Sequence, residues 1–167
     1  MSAPRVALCP GSFDPLTLGH EDIVRRALSF ADRVIVAVSY SPTTAKRGMF
    51  SVEERVAMIR DTFEGESRVE AVAFQGLLVD FARETGASLV VRGVRSVVDW
   101  EYESQMAVMN RRLLATLETV VLAPDPMHAH VSSTLVRQIA TLGGDVAPFL
   151  SPAVLRRVKA RVAEGSS

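Results

Sequence analysis

A single cysteine, Cys9, stands in 167 residues, so the chain can form no internal disulfide and no cysteine-rich zinc site. A charge of one dominant sign is also missing: 19 Lys and Arg balance 19 Asp and Glu. Proteins that live on nucleic acid or an anionic membrane normally carry a basic surplus, because neutralising phosphates supplies much of their affinity. Both partners are therefore excluded. Lysine is nearly absent, with Lys46 and Lys159 set against 17 arginines. Long hydrophobic runs are lacking too. The longest stretch without a formal charge, residues 34–45, has 12 residues, against the roughly 18 or more of a membrane span. The first residues show no apolar signal region and run directly into a strand. Cytoplasm is the expected compartment.

What is present is an ordinary globular composition, 48% hydrophobic and 23% charged, at a length that suits one domain over residues 1–167. The ordered core is expected over about residues 5–162, with disorder confined to 163–167. Short Val- and Ile-rich runs alternate with segments of helical period. Strands are predicted at 6–9, 34–39, 69–74, 89–92 and 119–122. Being near-continuously apolar, they suit a parallel sheet covered on both faces. Ile23, Val24, Ala27 and Leu28 mark one helical face; Val52, Val56, Ile59 and Phe63 mark another; Leu77, Leu78 and Phe81 mark a third. Further helices are predicted over 99–115, 133–142 and 152–162. Ser51 with Glu54 reads as a capping box, Ser151-Pro152 as a helix start, and Gly86 and Gly143 as helix stops. The fold class is α/β, a single doubly wound domain with a five-stranded parallel sheet. Ligands of such sheets bind beyond the carboxyl ends of the strands, near the switch in strand order.

The loops at those ends carry the informative residues. After the first strand, Pro10-Gly11-Ser12-Phe13-Asp14-Pro15-Leu16-Thr17-Leu18-Gly19-His20 opens into a helix. It brings Ser12 and His20 to a helix N-terminus, which favours an anion. Taken alone, this loop could be a turn and His20 a helix cap. Neither G-x-x-x-x-G-K-[ST] nor G-x-G-x-x-G occurs, which counts against P-loop kinases and ordinary dinucleotide dehydrogenases. After the second strand, Lys46 and Arg47 sit in a polar loop. A mobile ammonium there differs from the guanidinium this chain otherwise favours.

After the fourth strand, Arg92-Gly93-Val94-Arg95 places two arginines at the binding edge, suited to bidentate phosphate contact. After the fifth, residues 127–134 lead into a helix with Arg137 in its first turn. His128-Ala129-His130 lacks the carboxylate or cysteine partner of a metal site, and Ser132 and Ser133 lack the G-x-S-x-G context of a hydrolase nucleophile. Met106, Met109 and Leu113 read as core or subunit contact. Trp100 and Tyr102 read as ligand cover or interface.

Together Gly11-Ser12-Phe13-Asp14-Pro15, Thr17-Leu18-Gly19-His20, Arg92-Gly93-Val94-Arg95, Glu101-Tyr102-Glu103 and Val131-Ser132-Ser133-Thr134-Leu135-Val136-Arg137 resemble the bacterial phosphopantetheine adenylyltransferases over about residues 5–160. The first and last motifs are general to the nucleotidyltransferase superfamily. Residues 92–110, Lys46 and the segment from Met49 to Arg55 look specific to this family. The resemblance implies a Rossmann-like nucleotidyltransferase fold and the conversion of ATP and 4′-phosphopantetheine to dephospho-coenzyme A and pyrophosphate, assisted by Mg²⁺. It implies ATP contact by Ser12, Phe13, His20, Gly93, Val94, Arg95, Glu103, His128, Ala129, His130, Val131, Ser132, Ser133 and Thr134. Ser12, Lys46, Leu78 and Arg92 would contact the pantetheine substrate. It further implies a homohexamer and inhibition by coenzyme A.

Two positions depart from the family: Ser12 stands where Thr is common, and His128 where Trp or Tyr is frequent. The substrate phosphate is already a nucleophile, so alignment and charge stabilisation are the work to be done. On this reading His20 meets the α-phosphate, Lys46 and Ser12 orient the attacking phosphate, Arg92 anchors it, and Arg95 holds the departing phosphates. Two other readings use the same motifs: another adenylyl- or cytidylyltransferase of the superfamily, and a non-catalytic nucleotide-binding protein.

Overall fold

The structure, a computed structural model, describes residues 4–41 and 48–165. The five strands are β1 (Val6–Gly11), β2 (Arg33–Ser39), β3 (Val69–Phe74), β4 (Leu89–Gly93) and β5 (Glu118–Leu122). The helices are α1 (Leu18–Ala27), α2 (Val52–Thr62), α3 (Leu78–Thr85), α4 (Val97–Leu113), α5 (Ser133–Thr141) and α6 (Pro152–Gly165). All the strand pairs are parallel, in the order β3-β2-β1-β4-β5. The doubly wound α/β sheet is thus as expected, and its strand order reverses between β1 and β4.

Period-two alternation divides the core between the two faces of the sheet. Ala7 and Cys9 of β1, with Val34, Val36 and Val38 of β2, join one cluster with Ile23 and Val24 of α1, Ile59 of α2, Val136 of α5 and Val154 of α6. Val6 and Leu8, with Ile35 and Ala37, join a second with Val79, Phe81 and Ala82 of α3. Leu8 has no exposed surface. Leu8→Ala should therefore cost about 2–5 kcal/mol of folding stability in urea titrations; a loss below about 1 kcal/mol would contradict this packing.

Several boundaries differ from expectation, each for a local reason. β1 runs two residues past Cys9, through Pro10 and Gly11. Its ladder to β4 ends at Leu8↔Val90, while that to β2 continues to Gly11↔Val38. On the β4 side there is no ladder bond left for Pro10 to lose, and the two strands part there to open a crevice at the switch point. α4 starts at Val97 rather than 99, because the Ser96 side chain accepts the Asp99 N–H as N-cap, and it ends at Leu113 where Leu114 turns extended. Leu77 is not on the buried face of α3: it is the extended N-cap and is 61% exposed. The last helix continues to Gly165, so the expectation of disorder fails for residues 163–165. The Ser51–Glu54 capping box is present, and Gly86 and Gly143 have positive φ at helix ends.

Candidate active site

Two helix N-termini face the crevice between β1 and β4. Thr17 caps α1 and Ser132 caps α5, and the first turns of both line a cavity of about 350 Å³. Exposed N–H groups and the helix dipoles make such a place favourable for phosphates. The α1 cap is unusual. The Thr17 side chain accepts the His20 N–H, and the His20 ring occupies the reciprocal role that Glu or Gln fills in a capping box. The Thr17 backbone N–H donates to His20 Nδ1 at 3.1 Å, with the Thr17 hydroxyl 3.0 Å from the same nitrogen. Nδ1 is therefore an acceptor, and the neutral ring carries its proton on Nε2.

The Phe13 ring lies edge-on to His20 at 5.1 Å and fixes its tilt. Phe13 is buried and has φ of 49°, a left-handed backbone. For a bulky residue this costs about 1–3 kcal/mol and persists only when its surroundings hold it.

Burial, reinforced by the Arg95 and Arg92 guanidinium charges, pushes the His20 imidazolium down to about 4. The ring is thus neutral at pH 7. Between its unfolded value near 6.5 and about 4, the unfolded chain takes up a proton that the folded chain refuses. Stability falls as the pH drops through that window. The His20 imidazole resonance, identified by its loss in His20→Ala, should hold its chemical shift from pH 8 to 5.5 and turn only near 4. A midpoint near 6.5 would contradict this. Burial likewise pushes the neighbouring Cys9 thiol up to about 12, opposed only in part by Arg92, which leaves it protonated and unreactive.

The arginines are placed by protein partners. Arg92 donates to Glu103 Oε1 at 2.6 Å and also to the Pro10 carbonyl, bridging the gap where β1 and β4 part. Arg95 Nη1 donates to the Val131 carbonyl at 3.1 Å, and its Nε lies 3.5 Å from Asp99 Oδ2. It thereby spans the crevice from the β4–α4 turn to the segment before α5. Arg137 falls in the second turn of α5, not the first, and donates to the Asp14 carbonyl at 2.5 Å. Ser133 Oγ donates to the Pro15 carbonyl at 2.7 Å, and the Ser132 hydroxyl accepts the Leu135 N–H. Ser133 thus ties the start of α5 to the β1–α1 loop, while Ser132 caps its own helix. Gly93 is where α1 packs closest to the sheet, since a Cβ there would lie 3.1 Å from Ile23.

Of the residues expected at the site, Ser12, Phe13, His20, Arg92, Gly93, Arg95, Glu103, His128, Val131, Ser132, Ser133 and Thr134 line this one crevice. Val94, Ala129, His130 and Leu78 do not. Val94 donates its N–H to Leu122 across the sheet edge. Leu78 begins α3 and packs against the second core cluster. Lys46 lies outside the described residues.

Residues 8–139 match the family described as cytidylyltransferase-like. The chain is 51% identical over 157 residues to a phosphopantetheine adenylyltransferase of Thioalkalivibrio sulfidiphilus, covering 94% of this chain and 98% of the relative. It is 49% identical over 156 residues to one of Alkalilimnicola ehrlichii, covering 93% and 90%. A third, of Thiobacillus denitrificans, is 48% identical over 158 residues, covering 95% and 98%. The chain belongs to the phosphopantetheine adenylyltransferases.

As a member of that family it is a nucleotidyltransferase, and the Rossmann-like architecture is the one the family implies. Sequence reasoning missed the residues that hold this adenylyltransferase site in shape. Thr17 was readable in principle, as the first position of a T-x-x-H variant of the capping box. Asp14 and Arg55 fall inside motifs that carry the resemblance, but nothing in the sequence pairs them or gives them a role. Asp14 is 4% and Arg55 5% exposed, and they meet at 3.5 Å only through the fold. The expectation that Met106, Met109 and Leu113 could be core is corrected: they are 37%, 55% and 52% exposed, because α4 buries only Glu103 and Asn110.

Proposed function

We propose that this chain transfers the adenylyl group of ATP to the phosphate of 4′-phosphopantetheine, giving dephospho-coenzyme A and pyrophosphate. The observation that carries the reading is one crevice lined by His20, Arg92, Arg95 and two helix N-termini, with His20 Nδ1 taken by the Thr17 N–H so that Nε2 is left to donate. A phosphate oxygen of the acceptor attacks the α-phosphorus, the bond to the β-phosphate oxygen breaks, and pyrophosphate leaves with its electron pair. No general base is needed, because the acceptor phosphate is already ionised.

His20 donates from Nε2 to an α-phosphate oxygen as charge gathers there, a fixed dipole that costs no reorganisation. Ser12, and Lys46 beyond the described residues, orient the attacking phosphate, which Arg92 anchors. Arg95 and the α5 N-terminus at Ser132, Ser133 and Thr134 hold the outer phosphates of ATP, with Phe13, Gly93, Glu103, His128 and Val131 completing the crevice; the family resemblance adds Val94, Ala129 and His130 from outside its lining. The family resemblance adds Leu78 to the acceptor site, although it begins α3 outside the crevice.

Mg²⁺ enters with the nucleotide. Among the described residues no three His, Cys, Asp or Glu side chains gather at one point, and the crevice carboxylates Asp99 and Glu103 are engaged by Arg95 and Arg92. The donor set fits an ion held by ATP phosphates and water, where it would offset polyphosphate charge. No described helix is long and apolar enough to cross a membrane, in keeping with a cytoplasmic enzyme. One nucleotidyltransferase domain over residues 1–167 suits the continuous β1–α6 order. A homohexamer is supported by the apolar side of α4, where Val97 is 83%, Val98 75%, Val108 59% and Met109 55% exposed. Coenzyme A, sharing the product's parts, would compete for the site.

Pyrophosphate release measured with ATP and a panel of acceptors tests the assignment. Release with 4′-phosphopantetheine but not with nicotinate mononucleotide or phosphocholine is the expected result. Preference for another acceptor would move the chain elsewhere in the superfamily, and no release with any acceptor would leave a nucleotide-binding protein. Sedimentation velocity should give six times the 18.1 kDa chain mass; a monomer would contradict the oligomer.

A further inference from the structure

The left-handed turn at Phe13 is held from outside its own loop. Arg55, on α2, donates from Nη1 to the Ser12 carbonyl at 3.3 Å and from Nε to the Phe50 carbonyl at 2.9 Å. Asp14, on the far side of Phe13, accepts the Met49 N–H and the Phe50 N–H, one on each carboxylate oxygen, both at 2.9 Å. Arg55 and Asp14 then close on each other at 3.5 Å. The Ser12 carbonyl before Phe13 and the Asp14 side chain after it are thereby clasped to the segment Gly48-Met49-Phe50.

The clasp leaves no slack. A Cβ on Gly48 would lie 2.0 Å from Arg55 Nη2 and 2.7 Å from Asp14 Oδ2. Both side chains are more than nine-tenths buried, and with Ser12, Gly48, Tyr40 and Arg137 they edge a second cavity of about 550 Å³ on the β2 side of the turn. Neither lines the crevice, whereas Ser12, Phe13 and His20 all do.

We propose that Arg55, acting with Asp14 and Gly48, is a positioning residue for adenylyl transfer: it fixes the Ser12–Asp14 turn and, through the Phe13 ring, the direction of His20. Resting on the adenylyl-transfer reading above, this assigns to α2 a part in the reaction exerted from just outside the crevice, through Ser12. Reactive groups held in a near-attack geometry lose rate steeply when displaced, by about 10²-fold for a shift of about 1 Å. Loss of the clasp should act chiefly on that geometry, since the contacts assigned to Arg92, Arg95 and the α5 N-terminus do not depend on it.

Arg55→Lys keeps the charge but cannot reach two carbonyls and a carboxylate from one planar fork. It should lower kcat by about 10- to 100-fold, with KM for ATP and for 4′-phosphopantetheine changed less than about 3-fold, per active site counted by ATP binding. Gly48→Ala, which opens the clasp without removing a charge, should give the same split and covers the case in which Arg55→Lys does not fold. In the ligand-free protein, either variant should also shift the His20 imidazole resonance.

Unchanged kcat per active site would reduce Arg55 to a stability role. A rise in acceptor KM with kcat intact would make Arg55 a direct contact. Each result overturns the proposal. The two readings separate cleanly: a wild-type protein inactive with 4′-phosphopantetheine would defeat the activity assignment, while the ligand-free His20 resonance would still decide whether Arg55 positions the ring.

Discussion

His20→Ala should lower kcat by about 10²- to 10³-fold, the cost of about 2.7–4 kcal/mol that follows when one preorganised donor is removed from a developing oxyanion. KM for either substrate should move far less, because the donor matters most where charge accumulates, at the transition state. The structure makes this specific. The proton needed for that hydrogen bond sits on Nε2 because Nδ1 is filled by the Thr17 N–H. His20→Asn, whose amide reaches less far, should recover little. His20→Gln, if its side-chain amide N–H reaches the same place, should recover part of the rate without any titratable group. A variant with near-normal turnover would remove His20 from the mechanism.

Arg92→Ala should act on the other side of the reaction, raising KM for 4′-phosphopantetheine by about 10²-fold, equivalent to about 2.7 kcal/mol, with ATP KM little changed. It also leaves Glu103, 9% exposed, without the guanidinium 2.6 Å away. An unpaired carboxylate there should cost about 1–3 kcal/mol of folding stability. The two effects can be separated. The double variant Arg92→Ala with Glu103→Gln should regain much of the stability and none of the acceptor affinity. If only the ATP KM rises, the division of labour between Arg92 and Arg95 is wrong.

The arginine preference of the chain takes on a clearer meaning at this site. A neutral total charge is compatible with a locally cationic pocket for small phosphates. Arg92, Arg95 and Arg137 do converge beyond the strand ends, but each is close to a carboxylate, Glu103, Asp99 and Asp14 respectively. Each also donates to a backbone carbonyl, those of Pro10, Val131 and Asp14. A planar fork with several donors can serve a carbonyl and a carboxylate at once and still present N–H groups in a fixed plane. That geometry, rather than net positive charge, is what arginine supplies here.

The sheet was legible because its signal is local: Val34, Ile35, Val36, Ala37 and Val38 are consecutive, apolar and fully buried, and no helical period fits them. The crevice was legible for the same reason, since Ser12, His20 and Ser132 each follow a strand or open a helix, and Arg92 lies near the carboxyl end of one. The misses were of another kind. Pro10-Gly11 reads as a turn, and only the parting of β1 from β4 shows why it can remain a strand. Leu77 is apolar, and only the helix start at Leu78 shows that it points to solvent. The Arg55 contact to Ser12 spans 43 positions. No periodicity or spacing rule links residues on different elements, so the clasp that shapes the site appears only in three dimensions.

The most direct measurement supplies ATP, Mg²⁺ and 4′-phosphopantetheine carrying ¹⁸O in its phosphate, and weighs both products. Adenylyl transfer by attack on the α-phosphorus should place all of the label in dephospho-coenzyme A and none in pyrophosphate. Labelled pyrophosphate, or the absence of dephospho-coenzyme A, would contradict it.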